Sequence, residues 1–461
     1  MFSTMCRLED RCQGGVGHRV ELCEDLVMGD EFRLVSDYLL ADAGELIANG
    51  AIDIDAAGRI VGVGTSADLG EPTGAVQAVG GLLMPGLVNA HAHTPMTLLR
   101  SAGDGMALQA WLTDAVWPRE GLMTDEDAHW GMVLGSLEML TNGVTTSCEM
   151  YFFEAALVDA VEQTGGRMVL TPGVVSALLP NGNVAPRIDE LEALFERYHD
   201  PASRITMGFA PHSPYDLTAD QVAQIAQQAQ AVDALLHIHL EETEAERALV
   251  LERDGKSATQ MLADIGALEG RVLAAHGVWL DETDQRLLAA ADAAVAHCPM
   301  SNLKLGSGIA PVTDMIGNGL RVALGTDGVA SNDNLDLWEE LKLAPLLARG
   351  ANHDPAALDA ATALDMATRA SATAVGLDDV GELRAGAWAD IIRIDLDTPV
   401  FMPGREEDLL SHIVYQGSGS QVTDVWVAGE QVVADGTPTK VDIKQAQQEV
   451  RTRGHRLAEV S

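Results

Sequence analysis

Two histidines separated by one residue, His91 and His93, close the apolar run LLMPGLVNAHAH (82–93). On an extended strand, residues i and i+2 share a face, so both imidazoles can reach one ion. The same placement recurs downstream. His212 ends TMGFAPH (206–212), His239 and Glu242 end ALLHIHLEET (234–243), His276 lies in VLAAHGV (272–278), and Asp327 in RVALGTDG (321–328). With His239 and Asp327 added, the pair becomes a nitrogen-rich donor set suited to Zn2+ or Fe2+. Such a site keeps a position for water and lowers its pKa toward neutrality, which is hydrolytic chemistry. One histidine alone reads more readily as a satisfied core residue. Their joint placement at the ends of apolar runs is what packing does not explain. His297, in AAVAHCP (293–299), reads as pocket or core alike. His237 shares the face of His239 but lies a layer deeper, and reads as core.

These residues converge only if the runs that carry them are parallel strands. VTTSCEMY (144–151), RMVLTPGVV (167–175) and the runs above make eight, with helical patterns between them. That alternation predicts a (β/α)8 barrel over 84–384, whose C-terminal strand ends form one mouth. One intervening helix has a legible start. Thr124 and Asp127 form a capping box, and Trp130, Val133, Leu134, Leu137 and Leu140 make its apolar stripe. Strand patterns recur at both chain ends. GAIDIDAAGRIVGVG alternates about a turn at Ala56–Gly58, and 389–397 and 422–436 alternate likewise, the latter turning at Ala428–Gly429. A small β-domain built from 32–83 and 385–440 is therefore expected, with a C-terminal helix over 441–461. Residues 1–31 show no periodicity and read as a poorly ordered extension.

The composition excludes several classes. The net charge of −40, from 69 acidic against 29 basic residues, repels phosphate backbones and anionic lipid. Neither nucleic acid nor membrane is an expected partner. No apolar run is long enough to span a bilayer, and the opening MFSTMCRLEDRC lacks the apolar region of a secretory signal. Five scattered cysteines suit a reducing, cytoplasmic setting, and Cys6, Cys12, His18 and Cys23 match no standard zinc spacing. PCxxC is absent, which excludes a zinc deaminase of the cytidine type.

The strings PGLVNAHAHTPMTLLRS, HIHLEET, AAHGV, HCPMSNLKLGSGIAPV and LGTDGVASNDNLDLWEELKLA resemble the methylthioadenosine/S-adenosylhomocysteine/adenosine deaminase branch of the amidohydrolase superfamily, over residues 33–440. The resemblance implies a (β/α)8 barrel joined to a β-sandwich made from both chain ends. It also implies a hydrolytic deaminase of adenine nucleosides that yields the inosine analogue and ammonia. By position, His91, His93, His239 and Asp327 would hold one divalent ion, Zn2+ or alternatively Fe2+. Glu242 would protonate the purine nitrogen beside the attacked carbon, His276 would orient the hydroxide and Asp327 would take its proton. Two-metal relatives carry a bridging lysine at the end of strand four, which TMGFAPHSPY lacks.

For the substrate, the resemblance implies that Glu120 holds the ribose hydroxyls, that His212 lines the nucleoside pocket and that Ser331 lies near it. Trp111 and Trp117 read as pocket wall or core alike. Members that use S-adenosylhomocysteine can carry an arginine after strand three, where this chain has Pro172; Arg187 lies further along that loop. An uncharged 5′ group, as in 5′-methylthioadenosine or adenosine, is therefore expected. The partner is a small purine nucleoside, and a homo-oligomer is compatible with everything above. The rivals are a deaminase of a free base or pterin, a triazine hydrolase on the same scaffold, and a non-catalytic barrel protein.

Overall fold

The computed structural model describes residues 30–44 and 46–459. Apart from Asp30 and Glu31, the 1–31 extension, with its three cysteines and His18, lies outside the described residues.

Both chain ends feed the same sheets. A seven-stranded sheet runs in the order Thr437–Pro438, Glu430–Ala434, Val422–Val427, Ile391–Ile394, Leu82–Pro85, Tyr38–Leu40, Leu46–Ala48. Ile391–Ile394 pairs antiparallel with Leu82–Pro85 on one side and with Val422–Val427 on the other. A four-stranded sheet contains the expected hairpin, Gly50–Ile54 with Ile60–Thr65, flanked by Phe32–Val35 and Ala75–Ala78. Alternation turns Leu34, Ile52, Ile54 and Ile60 inward, where they share one core with Leu39, Leu83, Ile391 and Trp426 of the other sheet. The tips of two hairpins touch. Gly58, at φ +80°, lies where a Cβ would come within 1.9 Å of the Ala428 carbonyl oxygen. Only glycine tolerates both that angle and that approach.

The middle of the chain supplies parallel strands: β1 (Leu87–His93), β2 (Val144–Glu149), β3 (Arg167–Leu170), β4 (Ile205–Met207), β5 (Leu235–Leu240), β6 (Arg271–His276), β7 (Ala294–His297) and β8 (Arg321–Leu324). Pairing runs β4-β3-β2-β1 in one sheet and β5-β6-β7-β8 in another. A parallel bridge from Phe209 to Leu236 joins β4 to β5. Asp327–Gly328, just beyond β8, pairs with Ala92–His93 of β1. The parallel pairings thus lead round the set and return to its first strand. The apolar run 82–93 divides at Gly86, just past the boundary expected at 83/84. Its first part joins the terminal sheet and its second part is β1. A Cβ on Gly86 would meet the Thr145 side chain at 2.2 Å, so the chain crosses between the sheets where β2 presses closest.

Helix α1 (Asp125–Thr141) starts at the expected capping box. Thr124 accepts from the Asp127 N–H, and the Asp127 carboxylate accepts from the Thr124 N–H. Val133, Leu137 and Leu140 are buried, while Trp130 and Leu134 are half-buried. The C-terminal helix α2 (Ile443–Ala458) packs on α1, and its Arg453 and Arg456 both reach the buried Asp127 carboxylate. One buried ion pair joins the parallel set to the terminal sheets. Arg167 of β3 holds Asp390 through two bonds, 2.7 and 3.0 Å, with both side chains almost fully buried. Asp390 also accepts from the Ala428 N–H.

Removing one partner of such a pair strands the other charge in the interior. Asp390→Ala is expected to lower unfolding free energy by about 3–5 kcal/mol. Urea denaturation checks this, and a loss below about 1 kcal/mol would mean that water reaches Arg167.

Candidate active site

Each expected donor arrives at the same end of the parallel set. His91 and His93 come from β1, His239 ends β5, and His276 is the last residue of β6. Asp327 follows β8. His276 and Asp327 adopt φ of +75° and +62°, left-handed angles that L-residues avoid without compensation elsewhere. The ligand atoms of His91, His93 and Asp327 lie within 4.8 Å of one another, as do those of His91, His239 and His276. Asp327 Oδ1 is 3.3 Å from His91 Nε2 and 3.2 Å from His93 Nε2, and the Nε2 atoms of His93 and His239 are 3.3 Å apart.

The other nitrogen of each ring decides what these atoms can do. Nδ1 of His93 donates to the Met150 carbonyl, and Nδ1 of His239 donates to the His212 carbonyl at 2.8 Å. Nδ1 of His276 meets Asn302 Oδ1 at 3.0 Å. A carbonyl only accepts, so each Nδ1 carries the proton and each Nε2 presents a lone pair inward. Acceptors therefore face acceptors, and His91 Nε2 is buried with no hydrogen-bond partner. Burial pushes the His91 ring down to about 4. A cation resolves this opposition, and the donor types fit Zn2+ or Fe2+.

Asp327 Oδ2 accepts from Ser301 at 2.6 Å and from Ser331 at 2.9 Å. Ser331, expected near the nucleoside pocket, lies against Asp327. Its hydroxyl is buried behind the carboxylate that it steadies and is not part of the cleft wall. Glu242 does line the cleft. Ser307 donates to its Oε1 at 3.2 Å, and His276 Nε2 lies 3.7 Å from Oε2. Burial raises the Glu242 carboxyl above its ordinary value, despite the pull of His276.

The cleft above these groups takes in about 690 Å³ of space that is continuous with open solvent. Leu108, Trp111, Leu112 and Trp117, from the segment after β1, make one apolar wall; Phe152 and Val175 make another. Glu120, His212 and Tyr215 are its further polar side chains, and no arginine or lysine lines it among the described residues. Tyr151 donates to Glu120 Oε1 at 2.6 Å. Burial raises the Glu120 carboxyl and lowers the His212 ring to about 4. Arg187 lies outside the lining, paired with Glu154 and Glu190. Pro172 is buried. His297 is buried away from the cleft with an unpartnered Nδ1.

Sequence reasoning missed Tyr151, Asn302, Ser301 and Ser307, and read His237 as core. Tyr151 ends the run 144–151, so its strand-end position was the available signal. His237 is buried, but its Nε2 lies 2.9 Å from His91 Nδ1.

The amidohydrolase family model matches residues 82–432. A 5-methylthioadenosine/S-adenosylhomocysteine deaminase from Pelotomaculum thermopropionicum is 39% identical over 84% of this chain and 88% of its own. A 5'-deoxyadenosine deaminase from Methanothermobacter thermautotrophicus is 36% identical over 89% and 95%. The crystal structure of an adenosine deaminase from Xanthomonas campestris with bound zinc superposes with a TM-score of 0.87. That match has 32% identity and covers 93% of this chain and 99% of that one.

Beneath the cleft, the Glu242 N–H donates to Glu246 Oε2 at 3.0 Å, while Glu246 Oε1 is buried without a partner. Burial, reinforced by Glu242, lifts the Glu246 carboxyl from 4.5 to about 8. The folded state therefore keeps a proton that the unfolded chain releases across that interval. The stability linked to it is complete below pH 4.5 and is lost as pH rises toward about 8. Glu246→Gln should flatten the fall in urea stability between about pH 5 and 8. An unchanged slope would show that Glu246 carries no proton there.

Proposed function

The chain belongs to the amidohydrolase family, and on that footing we propose that it is a metal-dependent hydrolytic deaminase of adenine nucleosides. It would convert 5′-methylthioadenosine or adenosine to the inosine analogue and ammonia. The observation that carries this reading is one apolar cleft with three groups of donors. It holds the inward-facing lone pairs and Asp327 at its floor, buried Glu242 beside them, and a tyrosine-held Glu120 on its wall.

His91, His93, His239 and Asp327 would hold the ion, Zn2+ or alternatively Fe2+. A divalent ion there supplies a nucleophilic water at neutral pH. Adding that water to an aromatic amidine carbon requires the neighbouring ring nitrogen to accept electrons and a proton. Glu242, kept toward its protonated form by burial, delivers that proton to the ring nitrogen. His276, steadied by Asn302, orients the attacking oxygen, and Asp327 takes its proton. That proton then leaves with ammonia, and the remaining hydroxyl proton returns to Glu242 as the carbonyl forms. His212 and Trp117 bound the nucleoside. Glu120, with one oxygen held by Tyr151, offers the other to the ribose diol.

Among the described residues the cleft lacks an arginine or lysine to pair an amino-acid carboxylate, so S-adenosylhomocysteine is the poorer substrate. A free base, pterin or triazine would leave Glu120 without a diol. A non-catalytic protein would have no need to keep so many converging acceptors. The ring of parallel strands reads as a (β/α)8 barrel over 84–384, from the closure of its pairings. The terminal sheets, from 32–83 and 385–440, read as a β-sandwich with one shared core. No described helix is long and apolar enough to cross a membrane. Buried free Cys148 and Cys298 suit a cytoplasmic setting, and a homo-oligomer is compatible with this reading.

Glu242→Gln is expected to keep metal content and substrate binding while kcat falls by about 10²–10⁴-fold. Turnover near the parent value would remove Glu242 from proton transfer. Ammonia release from a panel tests the substrate reading. Adenosine and 5′-methylthioadenosine should turn over well, S-adenosylhomocysteine weakly, and guanine, 8-oxoguanine or an aminotriazine not at all. Glu120→Ala should raise KM for the nucleosides far more than for any free base that is accepted. Turnover of free bases or triazines alone would keep the metal chemistry and overturn the nucleoside.

A further inference from the structure

Three of the four inward-facing rings have a carbonyl at Nδ1: Met150 O, His212 O and Asn302 Oδ1. His91 differs. Its Nδ1 meets another imidazole, His237 Nε2, at 2.9 Å. An imidazole nitrogen can donate or accept, so this contact alone leaves the His91 tautomer undetermined. If His237 Nε2 carried the proton, His91 Nδ1 would accept it. The His91 proton would then sit on Nε2, pointing at Asp327 where a ligand lone pair is needed.

The opposite end of the chain of bonds removes this ambiguity. His237 Nδ1 is 2.9 Å from Thr171 Oγ1, and the Thr171 hydroxyl donates to the Glu149 carbonyl at 2.9 Å. At 2.9 Å two oxygens need a proton between them, and the carbonyl, which also accepts the Thr171 N–H at 2.8 Å, can only accept, so the hydroxyl proton points to it. Thr171 Oγ1 then accepts from His237 Nδ1–H, His237 Nε2 accepts from His91 Nδ1–H, and His91 Nε2 is left as a lone pair. His237 and Thr171 are both wholly buried, so water cannot substitute for either. Cys148 Sγ, at 3.6 Å from His237 Nδ1, is a weak acceptor.

We propose that His237 and Thr171 are positioning residues, a hydrogen-bond relay anchored on the Glu149 carbonyl that sets His91 Nε2 as a metal-ligating lone pair. The inference rests on His91 being a metal ligand. It adds that a threonine just past the end of β3 controls that ligand's proton. The relay has a polarity: reversing the His91–His237 bond would reverse the His237–Thr171 bond and break the one to the Glu149 carbonyl.

Thr171→Val keeps the side-chain shape and deletes the hydroxyl, and Thr171→Ser restores it. Zinc affinity by chelator competition should fall about 10–100-fold in Thr171→Val and return to within about 3-fold of the parent in Thr171→Ser. His237→Gln, whose amide can accept from His91 and donate to Thr171, should retain more affinity than His237→Leu. The second readout needs neither metal nor turnover. In apoprotein labelled with 15N-histidine, the His91 resonances are identified by their loss in His91→Gln. They should report a proton on Nδ1 in the parent and in Thr171→Ser, and a shift toward Nε2 protonation in Thr171→Val. A Thr171→Val protein with parental zinc affinity and a His91 proton still on Nδ1 would overturn the relay. If the parent itself takes up no zinc, the metal reading falls, while the apoprotein tautomer still decides the relay.

Discussion

Acceptor atoms pressed against acceptor atoms set the terms for this molecule. Four imidazole lone pairs and a carboxylate oxygen meet in a buried space. Left alone, that arrangement would relax by rotating rings or binding protons. It persists because each ring is held from behind by a group that removes the alternative. Carbonyls do this for His93 and His239, an amide oxygen for His276, and a second histidine for His91. Ser301 and Ser331 do the same for Asp327 from its other oxygen. The left-handed φ of His276 and Asp327 fits the same account, since strain of this kind survives only where the surroundings over-determine it.

The rest of the fold serves that requirement. A ring of parallel strands, closed by the pairing of Asp327–Gly328 with β1, brings strand ends from distant sequence to one place. The buried Arg167–Asp390 pair ties the ring to the terminal sheets, and α2 closes over α1 at the buried Asp127. Chemistry and selection sit on different elements. The ligating groups lie on strand ends, which hold position; the cleft wall comes largely from the segment between β1 and α1. Loops and short helices there can change without disturbing the ligands, which is how one scaffold serves several leaving groups.

The electrostatics of the cleft follow the same division. The chain carries a net charge of −40, yet two walls of its cleft are aromatic and aliphatic, and its histidines and carboxyls gather at the floor and beside Glu120 and His212. Buried carboxyls there, Glu120 and Glu242, are pushed toward their protonated forms. A neutral ligand with hydrogen-bonding edges and an apolar tail suits such a wall better than a charged one.

Features that depend on neighbouring residues could be read from the sequence alone. The i, i+2 spacing placed His91 and His93 on one face, the capping box at Thr124 and Asp127 started α1, and alternation about Gly58 and Gly429 marked both hairpins. Strand ends then pointed to His239, Glu242, His276 and Asp327, because polar residues rarely recur there by packing alone. Contacts between distant residues were decided only in the folded chain. His91 meets His237 146 positions away, and Tyr151 holds Glu120 from another strand end. Ser331 turns to Asp327 instead of the cleft, Arg187 is occupied by Glu154, and the run 82–93 changes sheets at Gly86. Local pattern records which face a side chain takes, because backbone period and turn chemistry are set within a few residues. Which partner waits on that face depends on how the strands close, and closure belongs to the whole chain.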